Sequence, residues 1–403
     1  MARAAACLGF ATGIFNLLGF AAQRSLGGPE WVVPLITFWQ ALWIVAPAVE
    51  PVLSRFPPRK AFRWIGLVAC APILLVALLD VVPTGSEGRG VGSVPLLMGA
   101  MFLWYATNIV YVPHRVALLS ANMPAGVRGR VYAMLSATEL IVTMVTARIG
   151  GSLLDGDPRW LRAIFPVGAA VGFLGYGQLS RIRWRWERQW AHRRGARRDA
   201  TMAAVGLAWR KTLVVFRRDR GFRLYEIGFM LYGMGLLMSQ PLVTILAERD
   251  LRLSYGEWTR ASAVAFPLTM IAVMTFLGRI VDRLGVARTT GGAFLVLSVF
   301  FATLPAVTGA WGLAGAHVIL GLGMAGVSLG WNLGPLHFAP EGRARAYGAV
   351  HLLLVGVRSA LAPGIGYALM RLVSIQAAFL LSAALQLAAF LVIRRARAMH
   401  EDA

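Results

Sequence analysis

Charge is scarce in this sequence, and lysine is nearly absent from it. Of its 403 residues only 14% are charged, whereas roughly 25% are charged in a typical soluble domain. The hydrophobic fraction is 58%, above the roughly 45–50% of such a domain. Lys60 and Lys211 are the two lysines among 40 basic residues, so the net charge of +22 comes from arginine. This balance excludes an ordinary water-soluble fold and indicates a protein that lies in a lipid bilayer.

Cysteine and histidine are also too sparse for the usual sites built from them. Cys7 and Cys70 both lie in apolar runs, where they form neither a disulfide framework nor a metal cluster. The six histidines are scattered along the chain. We therefore expect no catalytic residues, no metal and no cofactor, and an enzyme is the least favoured class of function.

Apolar runs of the length that a membrane-spanning helix needs, about 20 residues, recur along the whole chain. They are too long and too continuously apolar for the strands of a membrane barrel. The first run could pass for a signal peptide, but it has no convincing cleavage site and we interpret it as a helix. The sequence predicts an all-α membrane protein with twelve transmembrane helices, near residues 4–23, 31–53, 62–82, 93–117, 130–153, 160–180, 222–246, 256–279, 289–308, 311–336, 346–370 and 375–394.

The distribution of basic residues predicts the orientation of these helices. If the N-terminus is cytoplasmic, 29 basic residues fall in cytoplasmic segments and 8 in external ones. Cytoplasmic loops carry the excess of arginine and lysine in membrane proteins. We therefore expect both termini in the cytoplasm, with the protein in the cell membrane.

A basic segment between the sixth and seventh helices divides the chain into three parts: a six-helix bundle at 1–180, a linker at 181–221 and a second bundle at 222–403. The linker begins RIRWRWERQWAHRRGARR. Arginine interleaved with tryptophan could bind RNA, but a juxtamembrane stretch on anionic lipid headgroups is the favoured interpretation, and we expect no nucleic-acid partner. Its second part, MAAVGLAWRKTLVVFRR, predicts an amphipathic helix on the membrane surface.

One phrase occurs twice, once before the fifth helix and once before the eleventh. Residues 124–132 are PAGVRGRVY and residues 340–347 are PEGRARAY. An offset of 215 residues aligns them and continues into the helices, where it pairs Glu139 with Leu354 and Thr143 with Arg358. The second bundle therefore repeats the first.

A different motif, GRIVDRLGVAR, lies between the eighth and ninth helices. With the six-plus-six repeat and the basic linker, it resembles the Major Facilitator Superfamily of secondary transporters. The resemblance implies pseudo-symmetric bundles that rock about a central site. It also implies gating by the signature-loop residues Gly278, Asp282, Arg283 and Gly285 and by the repeated-phrase residues Arg128, Arg130, Arg343 and Arg345. Asp282 would latch to the N-terminal end of the fifth helix, although these charges could also only set topology and cap helices.

Arg358, His351 and Glu139 are ionisable residues within predicted spans, where each is a functional candidate because charge is costly at that depth. Arg358 is 13 residues past Arg345, near the midplane, and His351 is seven residues earlier on the same face. Together they could bind an anionic group or take part in proton coupling, or Arg358 could be structural. Glu139 could be a proton carrier, or the partner of Arg358. Glu226, near a cytoplasmic end, is expected at a gate or interface.

Helices 1, 4, 7 and 10 line the cavity in the family, and each carries a polar or aromatic stripe in this sequence. Single stripes are more often helix packing than a site, but four in the four expected helices favour a site. The candidate substrate-binding residues in these helices are Asn16, Trp104, Asn108, Tyr232, Gln240 and Asn332.

The sequence therefore predicts a secondary transporter that moves a small amphipathic organic compound, with an anionic group as one option, by alternating access. We expect protons as the coupling ion and a monomer in the membrane. A lysolipid substrate that enters sideways is one alternative, and a transporter-like sensor or scaffold that moves nothing is another.

Overall fold

The computed structural model describes residues 1–45, 58–79, 93–123, 125–182, 214, 216–340 and 344–401. Over these residues the secondary structure is helical and contains no strand. Contacts divide the chain into two units, residues 1–32 with 45–205 and residues 33–44 with 206–403. The predicted linker lies mostly outside the described residues, and the three-part division of the chain stays a prediction.

In the first part of the chain, the described residues form six helices, α1 to α6. Several of them change geometry along their length. The first breaks at Asn16, and the third continues from an α-helix into a 3₁₀ helix at Ala71, where Pro72 lacks the N–H that an α-helix would use. Their bounds are α1 Ala2–Arg24, α2 Val32–Val45, α3 Pro58–Cys70 continuing to Leu78, α4 Ser93–Asn122, α5 Ala125–Gly156 and α6 Pro158–Arg181.

The described residues of the second part form six further helices, α7 to α12. The eighth contains a π-helical segment, Arg260–Ala265, between its two α-helical parts. Their bounds are α7 Arg220–Ile245, α8 residues 255–284, α9 Val286–Thr303, α10 Ala310–Phe338, α11 Ala344–Leu372 and α12 Ile375–Glu401.

The predicted all-α membrane fold is confirmed. Ten of the described helices are long and apolar enough to cross a membrane, and Val32–Val45 is a shorter apolar helix. Each of the twelve predicted spans coincides with one of α1 to α12. The largest errors are at helix ends. The helix α5 begins at Ala125 rather than 130, so Arg128 and Arg130 belong to its first turns and not to a loop.

Aromatic side chains form the core of each unit. In the first unit the Trp104 ring lies edge-on to Phe15 at 4.7 Å and to Tyr176 at 5.9 Å, which ties α4 to α1 and α6. In the second unit Phe229 and Tyr232 of α7 pack on Phe294 of α9, and Tyr232 stacks on that ring at 4.8 Å. These cores fix the rotation of α7 and therefore the direction of its polar side chains.

Candidate functional site

The two units contain the same hydrogen bond at equivalent places. In the first unit the Thr143 hydroxyl on α5 donates to the Gly9 carbonyl of α1 at 3.0 Å. In the second unit Arg358 on α11 donates through Nη1 to the Phe229 carbonyl of α7. The donors are 215 residues apart, the offset of the repeated phrase, and the acceptors are 220 apart. The structure therefore extends the repeat from sequence to side-chain contacts, with an arginine where the first unit has a threonine.

A glycine accompanies this bond in each unit. A Cβ on Gly13 of α1 would lie 2.6 Å from the Thr143 carbonyl oxygen. A Cβ on Gly233 of α7, again 220 positions later, would overlap the guanidinium of Arg358. Only hydrogen at residue 233 leaves room for the larger side chain, so the arginine and the glycine form one arrangement.

Arg358 is buried, with 3% of its surface exposed, and is surrounded by aromatic rings. Its guanidinium carbon lies 5.4 Å from the ring centre of Tyr232 and 5.4 Å from that of Trp331 in α10. Aromatic faces attract a cation at this distance, and more strongly when water is excluded. The Nε atom of Arg358 is buried and has no hydrogen-bond partner among the residues that the structure describes.

Seven residues earlier on the same two helices, His351 and Glu226 form a second buried pair. Both oxygens of Glu226 lie 3.0 Å from Nδ1 of His351, and the exposed fractions of the two side chains are 1% and 3%. The other ring nitrogen of His351, Nε2, is buried, and no described residue forms a hydrogen bond with it. The imidazole lies edge-on to Trp331 at 4.4 Å, so this indole touches the surroundings of both His351 and Arg358.

Equal spacing on two helices aligns these groups. His351 precedes Arg358 by seven residues on α11, and Glu226 precedes Gly233 by seven on α7. Seven residues are about two turns, or roughly 10 Å along a helix. The facing stripes therefore meet twice, first as carboxylate with imidazole and then as glycine with guanidinium.

Glu226 was expected at a gate or interface, and it lies buried at the contact between α7 and α11, beside His351. The sequence did indicate that Glu226 needs a partner, since a carboxylate inside an apolar span is costly without one. The sequence did not show which neighbouring helix carries that partner.

Glu139 has its own partner in the first unit. Its carboxylate lies 2.7 Å from Nη1 of Arg115 on α4, and 24% and 18% of the two side chains are exposed. The Arg115 guanidinium also lies 5.9 Å from the Tyr111 ring. Glu139 thus pairs with Arg115 of α4, and not with Arg358, which was one of the two roles that the sequence left open for it.

The other predicted lining residues differ in their surroundings. Trp104 is buried in the aromatic core, and Asn108 donates to the Trp104 carbonyl at 3.3 Å. Asn332 is exposed and donates to the Ser328 carbonyl of its own helix at 2.7 Å. Asn16 and Gln240 are exposed. Only Tyr232 of this set belongs to the cluster around Arg358.

The predicted gating residues are described in part. Gly285 has φ +80°, a conformation that favours glycine, and it ends α8 immediately before α9 begins, while Arg283 is exposed. The remaining members lie outside the described residues or have side chains that are not described, so the latch stays a prediction. They are Arg128, Arg130, Gly278, Asp282, Arg343 and Arg345.

The tyrosine of the repeated phrase ties α11 to α7. Asp219 caps α7 by accepting from the Phe222 amide at 2.9 Å, and its other oxygen accepts from the Tyr347 hydroxyl at 2.7 Å. The Phe222 and Tyr347 rings are also 4.5 Å apart. This contact holds the starts of the two helices together at the end nearer Glu226 and His351.

Among the described residues no group of three or more His, Cys, Asp or Glu side chains could hold a metal ion. The cluster in the second unit contains a guanidinium, a carboxylate and an imidazole between aromatic rings. Such a set can bind an anion and hold or release a proton.

Comparison with known proteins gives a family and a fold. The model of the Major Facilitator Superfamily matches residues 2–354. No curated protein sequence matches this chain. Three similar solved structures are a peptide transporter POT in complex with sulfate (TM-score 0.71, 13% identity, 100% of this chain and 93% of that one), a mutant of the nucleoside transporter NupG (0.69, 11%, 98% and 98%) and a D-xylose-proton symporter (0.66, 14%, 97% and 95%).

Proposed function

Because the chain belongs to the Major Facilitator Superfamily, a family of secondary transporters rather than enzymes, we propose that it moves a small amphipathic organic anion together with a proton. It is a multi-pass membrane protein, and we place it in the cell membrane with both termini cytoplasmic. Substrate binding centres on Arg358, and the Glu226–His351 pair carries the proton.

One observation supports the anion: near one indole, two buried nitrogen atoms have no hydrogen-bond partner among the described residues. They are Nε of Arg358 and Nε2 of His351, and Trp331 contacts both side chains. Buried polar atoms nearly always have a hydrogen-bond partner, and an orphan calls for an explanation. A carboxylate, sulfonate or phosphate would satisfy the arginine, whose planar fork matches such groups.

Charge balance in the cluster favours a proton as the companion of the anion. With His351 neutral, the positive charge of Arg358 is balanced by the carboxylate of Glu226, and the two groups interact electrostatically. An anion alone would leave one uncompensated negative charge in a buried site, which is costly. A proton on His351 restores neutrality and turns Nε2 from an acceptor into a donor that the anion can use.

The aromatic lining favours a substrate with an apolar part. Tyr232 and Trp331 flank the guanidinium, and Phe229 lies 5.2 Å from the His351 ring. Aromatic walls with a few polar groups are usual for sites that bind partly apolar organic molecules. Alternating access would then carry the occupied site from one side of the membrane to the other.

A ligand screen followed by flux measurements tests this function. The purified protein is heated with aromatic and alkyl carboxylates and sulfonates, and with their uncharged amides as controls, and the stabilising compounds are then assayed in proteoliposomes. We expect uptake of an anion that a pH gradient drives and that a membrane potential leaves unchanged. Uptake that responds to potential alone, or no flux under any gradient, would contradict the proposal.

The variant Arg358→Thr separates a structural role from a transport role. Threonine makes the equivalent bond in the first unit, so this variant can fold without the charge. We expect the wild-type melting temperature within a few degrees and a rise in KM of about tenfold or more, the loss of one charge-assisted bond. Arg358→Lys should also bind poorly, because lysine lacks the fork. Arg148→Thr is the matched control, since Arg148 bonds to Ser152 of its own helix. Full transport by Arg358→Thr would remove Arg358 from the site.

A further inference from the structure

An apolar groove separate from the transport cluster runs between α3 and α4, with a volume of about 390 Å³. Its floor contains the buried side chains Ile65, Thr107 and His114, and its rim contains the exposed Trp64 and Val68. On each helix the lining spans seven residues, or about 10 Å. The groove is therefore a channel about two helical turns long, open along one side.

The open side belongs to a continuous apolar surface on α3. The exposed large side chains of this helix are all apolar beyond its first turns: Trp64, Leu67, Val68, Leu74, Leu75 and Leu78. In a multi-pass membrane protein such a surface contacts acyl chains, because exposing it to water would be costly. The groove consequently opens to the lipid and not to water.

Positive charge lies at one end of the groove. Lys60 is one turn before Trp64 on the same stripe of α3, and Arg63 is adjacent; both side chains are exposed and neither forms an ion pair with any residue that the structure describes. The His114 ring lies at the same end, 6.2 Å from the Phe62 ring. The exposed fraction of Trp64, 61%, suits a residue at the level of the headgroups.

We propose that this groove binds an anionic phospholipid, with one acyl chain between α3 and α4 and the phosphate on Lys60 and Arg63. An extended acyl chain fits a groove between two adjacent helices, whereas a further helix is about 10–12 Å across with its side chains. Basic residues at the end of an apolar cleft are a recognition pattern for anionic headgroups. Trp64 at the rim lies at the boundary between the acyl chain and the headgroup of the lipid.

Native mass spectrometry of the full chain tests the site. The protein is purified with an equimolar mixture of phosphatidylglycerol and phosphatidylcholine that carry the same acyl chains. We expect the wild type to retain phosphatidylglycerol, and the double variant Lys60→Gln with Arg63→Gln to lose that preference by about tenfold. Val110→Phe, which fills the groove, should lower retention of both lipids.

A matched pair of basic residues controls for general electrostatic attraction. The variant Arg394→Gln with Arg395→Gln removes two exposed arginines from α12 and should keep the wild-type preference. Val68→Phe at the rim replaces Val110→Phe if the latter does not fold. An equal loss in the α12 variant, no preference in the wild type, or a lipid-free dimer formed through this face would overturn the proposal.

Discussion

At the scale of single residues, one substitution between the repeats turns a packing contact into a candidate site. Thr143 and Arg358 make equivalent bonds to the first helix of their own unit, α1 and α7, but only the second brings charge into the core. Gly233 gives the space that the longer side chain needs. The sequence alignment paired the two positions, whereas the equivalence of their acceptors, the Gly9 and Phe229 carbonyls, was visible only in the structure.

The carboxylate of Glu226 gives a residue-scale prediction about coupling. Glu226→Gln keeps the shape of the side chain and removes its charge, so the Arg358 charge alone balances a bound anion. Uptake should then lose its dependence on the pH gradient and become sensitive to membrane potential, while exchange of labelled for unlabelled substrate persists. Proteoliposomes with an imposed potential or pH gradient measure both properties.

Glu257→Gln is the control for this experiment. Glu257 belongs to a capping box with Ser254, where it accepts from a backbone amide, and glutamine can accept there too. It should leave coupling unchanged. If Glu226→Gln stayed electroneutral and driven by the pH gradient, the Glu226–His351 pair would not carry the proton.

At the scale of helices, close packing between α1 and α5 depends on residues without side chains. The backbone of Glu139 lies against Gly9, and that of Thr143 lies against Gly13. Small residues allow such approach in membranes, where helix association depends on van der Waals contact. The helix α7 uses Gly233 in the equivalent place, although the neighbour there is a side chain.

Gly13→Ala tests this packing. The new methyl group would lie 2.6 Å from a backbone carbonyl, which can move only if the helices separate. We expect a loss of about 1–3 kcal/mol in stability, the usual cost of overpacking, seen as a lower melting temperature in detergent. Gly99→Ala on α4 is the control, because a methyl group there meets no atom within 4 Å. Equal melting temperatures for the two variants would contradict a packing role for Gly13.

At the scale of the whole molecule, the arginine distribution makes a prediction about topology that is independent of the site. The C-terminus should lie in the cytoplasm. The loop between α9 and α10, which contains Gly309, should lie outside the cell. A fluorescent protein fused to the C-terminus should therefore fluoresce, while alkaline phosphatase at the same place should be inactive. Alkaline phosphatase fused after Gly309 should be active. The reverse pattern would invert the orientation.

The sequence by itself determined the membrane-spanning helices of the described residues, their approximate ends and the family. These features depend on local composition, because a run of about 20 apolar residues must be helical in lipid wherever it packs. It also identified Arg358, His351 and Glu139 as costly residues within spans. The sequence placed the start of α5 five residues late, since arginine tolerates both helix and loop.

Only the tertiary structure decided the partners of those residues. Glu139 faces Arg115, and His351 faces Glu226, which the sequence had placed at a gate or interface. The partner of a buried charge depends on how each helix is rotated and on its register against its neighbour. The aromatic core of Phe229, Tyr232 and Phe294 sets that rotation for α7. The hydropathy of the sequence does not predict this rotation.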